Sequence, residues 1–93
     1  MIHELEILSK YFVPIQNGTK NFEIREIRDR VFKVGDTLML FEVDDIARRP
    51  TGRHIEKEIT YTLDDERFCK SGYIVMGLNT IMHTVSPVAS SMK

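Results

Sequence analysis

Along "HELEIL", residues 3–8, polar and apolar positions alternate: His3, Leu5 and Ile7 share one face, Glu4 and Glu6 the other, which reads as a first strand. In "SKYFVPIQNG", Phe12 and Ile15 lie three apart, Ser9 can cap a helix, and Gly18 after Asn17 suits its C-terminal stop. Pro14 lacks an amide that a helix starting at Ser9 needs in its second turn, so a short helix beginning nearer Phe12 is expected. "KNFEIRE" alternates again, and the expectation is Phe22 and Ile24 inward, Asn21, Glu23 and Arg25 outward. "IRDRVFKVGD" is charged and ends in a Gly-Asp turn signal.

"TLMLFEV" is apolar at nearly every position, the pattern of a strand covered on both faces. "DDIARRPTG" reads as a loop, and "RHIEKEITYTL" as a long strand with Ile55, Ile59, Tyr61 and Leu63 on one face, interrupted by Lys57. "DDERFCKSG" connects to a last strand, "YIVMGLNT". The sum is a mostly β, α+β chain of about five strands and one short helix, with no internal repeat. Long strands and Gly-marked bends point to a small, strongly curved mixed sheet or barrel. One domain is expected over residues 1–81, with 82–93, where the periodicity is lost, as a loose tail.

Composition narrows the class without changing that picture. With 93 residues there is room for one modest core. Hydrophobic residues at 42% and charged residues at 29% match globular averages and argue against disorder of the whole chain. A net charge of -1 offers no global field for a polyanion, so any nucleic-acid contact must be local. Glu4 and Glu6 break a signal-peptide core, and no apolar run approaches the roughly 20 residues of a membrane span. Cys69, the single cysteine, has no disulfide partner in the chain and no adjacent His or CxxC companion, and reads as an inert thiol. A soluble, cytoplasmic protein is the expectation. No His, Cys, Asp or Glu grouping has ligand spacing, so neither metal nor cofactor is expected, and His3 reads as a buried, hydrogen-bonded histidine.

The chemistry concentrates in "NGTKNFEIR", residues 17–25. Gly18 permits close backbone approach, Lys20 is a compact donor or base, Arg25 a planar fork for phosphate or carbonyl oxygens, and Glu23 an acid that can hold Lys20, accept an amine or act as a base. Against this stands a solvated edge: Glu23 and Arg25, two apart on an exposed strand face, make a pair worth about 0–1 kcal/mol. Strand parity also sets Lys20 opposite both, so a shared site requires Lys20 in the bend after Gly18, outside the pleat. Arg28, Arg48, Arg49 and Arg53 stand in loops able to flank one cleft and meet phosphates, or simply to solubilise beside Asp29, Asp44 and Asp45. Tyr73, at a strand start, is a candidate for stacking on a base.

Gly18, Lys20, Glu23 and Arg25 form the pattern G-x-K-x-x-E-x-R, which resembles the signature of ASCH (activating signal cointegrator homology) domains in the PUA-like superfamily. "HELEIL", "SKYF", "FKVGDTLMLFE", "TGRHIEKEITY" and "GYIVMGL" resemble, in order, the segments of a small single-domain ASCH-like group common in bacteria and their phages. The resemblance covers residues 3 to about 79. It implies a PUA-like β-barrel with a helix beside a cleft, lined by Lys20, Glu23 and Arg25 with Gly18 shaping its mouth. It also implies RNA or nucleotide binding. Some small members of that kind are amidohydrolases that deacylate acetylated cytidine, with a Lys at the place of Lys20, a Thr where this chain has Glu23, and a further Glu. Ribonuclease activity is attached to other relatives.

Three functions follow as expectations. The first is a module that binds RNA, a single nucleotide or a modified nucleoside in the cleft. The second is a small hydrolase on an acylated nucleoside, with Lys20 and Glu23 as its catalytic groups. The third is a protein-interaction accessory of phage or mobile-element origin. Near-neutral charge argues against tight binding to long duplexes and for a single-stranded end or one nucleotide.

Overall fold

The computed structural model describes residues 1–80; the expected tail over 82–93 lies outside them. Strand β1 (Ile2–Leu8) runs directly into helix α1 (Ser9–Gln16), followed by β2 (Phe22–Glu26), β3 (Thr37–Val43), β4 (Pro50–Leu63) and β5 (Tyr73–Thr80). The five strands form one mixed sheet in the order β1-β3-β4-β5-β2, with β1 parallel to β3 and the other pairings antiparallel. The sheet curls as a half-barrel, and β1 and β2 are its two edges. The mostly β reading with one short helix therefore holds.

The helix starts earlier than Pro14 suggests. Pro14 withholds one amide from the ladder, but the chain compensates around it. The Lys10 amide, one of the donors that a first turn leaves unpaired, donates to Asp45 Oδ1 at 3.2 Å, and the Ser9 hydroxyl donates to the Val43 carbonyl at 3.3 Å. Phe12 and Ile15 are fully buried from the helix's inner face. Packing and two tethers to the end of β3 outweigh one missing bond in so short a helix.

The core gathers Leu38, Leu40, Ile59, Ile74 and Met76 with Ile7, Phe12 and Ile15. On β3 one face is sealed, with Leu38, Leu40 and Glu42 buried, while Met39, Phe41 and Val43 opposite are half-buried, so the strand is less covered than its composition suggests. On β4 the single face drawn through Ile59 and Tyr61 breaks. The register shifts between those residues opposite Leu78 and Gly77, the extra residue reverses the alternation, and Tyr61 turns outward. His3 is buried as expected, with Nε2 2.9 Å from Asp36 Oδ2.

The largest correction concerns β2. Glu23 and Arg25 pair across from Met76 and Ile74, both core residues, and so face inward; Glu23 is only 5% exposed. Phe22, 41% exposed, and Ile24 face out. A period of two is the same pattern whichever face is buried, and a one-residue slip exchanges them. The acid is tolerated inside because two cations follow it there.

Candidate functional site

The site is built from the end of α1 and the edge strand that follows. After α1, the Asn17 side chain accepts from the Thr19 amide at 3.0 Å and from its hydroxyl at 2.7 Å, closing a local turn. Gly18 takes φ +85°, a left-handed conformation that costs glycine little. The Lys20 amide then returns to the Pro14 carbonyl at 3.0 Å. Lys20 thus lies in the bend, before the strand begins at Phe22, which meets the condition for joining Glu23 and Arg25.

The three side chains converge. Lys20 Nζ donates to Glu23 Oε1 at 2.8 Å, and Arg25 Nε donates to Glu23 Oε2 at 2.7 Å. Arg25 Nη2 reaches across to the Glu6 carbonyl on β1 at 2.7 Å. One guanidinium thereby bridges the two free edges of the half-barrel, where no ladder of backbone bonds closes the sheet. A cleft of about 570 Å³ opens at this seam. Its polar lining comes from Lys20, Glu23, Arg25, Glu6 and Glu26, its apolar lining from Ile7, Leu8, Tyr11, Phe22 and Ile24. Lys20 Nζ sits 5.1 Å from the Phe22 ring centroid and 5.5 Å from that of Tyr11, in cation–π range of both.

Chemically, Glu23 anchors the site. Each of its oxygens takes a short charge-assisted bond, which fixes the two cations against each other's repulsion. Lys20 retains N–H groups beyond that bond, and Arg25 Nη1 has no protein partner among the described residues. The arrangement can donate to an acceptor oxygen from two directions beside apolar walls.

The other sequence candidates stand elsewhere. Arg28, at φ +54°, pairs with Glu26 at 3.2 Å and reaches the cleft only through that acid. Arg48 and Arg49 belong to a turn closed on Asp44, and neither lines the cleft. Tyr73 lies under the Lys70 ammonium at 5.2 Å, and Gly18 shapes the turn without lining the cavity. Arg53 is committed to Glu42: Nε donates to Oε1 at 2.7 Å and Nη2 to Oε2 at 2.9 Å, while the Thr51 hydroxyl adds a third bond at 2.6 Å. Arg53, with Thr51, holds the Glu42 carboxyl down at about 2 despite its burial. Tyr11, Glu6 and Glu26 escape the sequence reading as site residues. Tyr11 carries a faint signal, as an aromatic one position off the buried Phe12–Ile15 stripe.

The profile of the family described as "Domain of unknown function (DUF3850)" matches residues 2–78. This chain belongs to that family. The matched stretch takes in β1 to β4 and α1 whole and most of β5. The chain is also similar to the "Uncharacterized 12.9 kDa protein in GpA 3'region" of Escherichia phage P2, at 41% identity over 64 residues. That alignment covers 68% of this chain and 55% of the phage protein, so the chain spans about half the length of the curated relative it matches. Among the described residues, no helix is long and apolar enough to cross a membrane.

Proposed function

We propose that this DUF3850 domain is a binding module of PUA-like, ASCH type that takes one nucleotide unit, free or at the end of a single-stranded RNA, into the seam cleft. The observation that supports this is the convergence of Lys20, Glu23 and Arg25 on a cavity of about 570 Å³, within the general size range of small-molecule sites, with donors left over. Arg25 offers its unused guanidinium edge and Lys20 its remaining N–H groups to carbonyl or phosphate oxygens. Tyr11 and Phe22 offer ring faces, the usual platform for an unstacked base. Binding is favoured over the hydrolase reading because both oxygens of Glu23 already hold cations, which suits an anchor better than a proton shuttle.

Amide NMR titration with nucleosides, nucleotides and short oligoribonucleotides tests the reading. Shifts are expected at Tyr11, Phe22 and Arg25, and their loss in Lys20→Ala and in Arg25→Ala. Spectra elsewhere in the sheet report whether each variant stays folded, and Arg25→Lys separates lost charge from lost fork geometry. Shifts that persist unchanged in both alanine variants overturn the assignment.

A further inference from the structure

Charge at the seam narrows the ligand. Two cations line the cleft, Lys20 and Arg25, against three acids, Glu6, Glu23 and Glu26. Glu23 has taken a bond from each cation, and Glu26 has its own partner in Arg28 outside the cavity. Glu6 lines the same space, and its carboxylate has no ion-pair partner among the described residues. A site that selects phosphate gathers a surplus of positive charge or a nest of backbone amides. This cleft shows no such surplus: Lys20, Arg25 and Arg28 are matched in number by Glu6, Glu23 and Glu26.

What the cleft does offer is apolar area and a small number of directed donors. Tyr11 and Phe22 both line it and keep 46% and 41% of their surface exposed. We propose that the cleft reads an uncharged, planar, carbonyl-bearing ring, the base of a nucleoside, and leaves phosphate outside. The ring lies against Tyr11 and Phe22, and its carbonyl oxygen accepts from Arg25 Nη1 and the Lys20 ammonium. The inference rests on the nucleotide-class reading above and restricts it.

The probes are uridine, cytidine and guanosine, each with its mono- and triphosphate, titrated by amide NMR at low and high sodium chloride. The expected result is that at least one nucleoside binds, and that its triphosphate binds no tighter at either salt. Tighter binding of the triphosphate at low salt overturns the inference and leaves the nucleotide-class reading standing. Absence of shifts with every probe removes both. Glu6→Gln separates charge from shape, since it leaves the backbone carbonyl that Arg25 uses. It is expected to raise monophosphate affinity relative to the parent nucleoside by about two- to fivefold, the scale of one partly solvated charge. An unchanged ratio overturns the charge argument.

Discussion

Two glutamates in this small sheet are buried and gripped by arginine, yet only one of them makes a site. Glu42, on β3, is 2% exposed and takes both prongs of the Arg53 fork and the Thr51 hydroxyl, while Arg53 Nη1 leans to Gln16 on α1 at 3.5 Å. That node is nearly self-satisfied: every guanidinium nitrogen of Arg53 has a protein partner, and it clips the β3–β4 hairpin to the helix. Glu23, on edge strand β2, divides its oxygens between two cations that come from different directions and are not exhausted by it. The same residue types give a clip in one place and an open cleft in the other. The difference is how many donors remain after the acid is satisfied, and whether the sheet closes above them.

Removing partners one at a time sharpens that contrast, because the two nodes leave different charges behind. Arg53 is 51% exposed in its side chain, so after Glu42→Ala water can take the guanidinium. Arg53→Ala instead strands a carboxylate with almost no access to water, and it is expected to lower the urea midpoint further than Glu42→Ala, Glu23→Ala or Arg25→Ala. In the cleft the order reverses. Glu23→Ala strands two facing cations whose side chains are 18% and 23% exposed, at a cost of about 2–3 kcal/mol. Arg25→Ala leaves Glu23 still bonded to Lys20 and costs about 1 kcal/mol. Equal urea midpoints within each pair would break the distinction between clip and cleft.

Much of this architecture is legible in the sequence, and where it is not the reason is physical. All five strands follow from alternation or β-rich runs, and Lys20, Glu23 and Arg25 do share a cavity. The faces of β2 come out the wrong way round because apolar residues normally decide which side is buried. Here an ion triad takes the inner side and leaves Phe22 and Ile24 outside. Arg53 stands among loop cations in the sequence, and only tertiary pairing reveals that it belongs to Glu42. An acid at a buried position of an otherwise apolar strand is the sign that a cation must reach it. Tyr61 is misplaced by a bulge, an extra residue that leaves no mark in a two-residue period.

Acid titration probes the Glu42 clip more gently. The Glu42 carboxyl is lowered from 4.5 to about 2, first by Arg53 and then by Thr51. A depressed folded-state value stabilises the protein above the unfolded-state value, and that contribution is lost as pH falls from about 4.5 through 2. Asp36 is lowered too: burial pushes it up, but hydrogen bonds from His3, the Met1 amino group and the Lys33 amide outweigh that. Stability should therefore decline with acid through this window, and Glu42→Gln should reduce the slope by up to about one bound proton. Urea melts of both proteins at a series of acid pH values measure it. An unaltered slope means that the clip does not hold its charge in the way its geometry indicates.

A further ion pair, Arg28–Glu26, belongs to neither kind: it is exposed on both sides and, at 3.2 Å, longer than the pairs of Glu23 and Glu42. Arg28 also adopts φ +54°, where a side chain is strained by about 1–2 kcal/mol. Arg28→Gly relieves that strain. It also loses a surface pair worth up to about 1 kcal/mol and makes the unfolded chain more flexible by a similar amount. These terms nearly cancel, so thermal unfolding should show a change within about 0.5 kcal/mol. Ligand binding is the more revealing readout. Without Arg28, Glu26 stands uncompensated at the cleft, and a nucleoside monophosphate should lose affinity while its nucleoside holds. If both change together, the exposed pair shapes the cleft mechanically, and its charge plays no separate part.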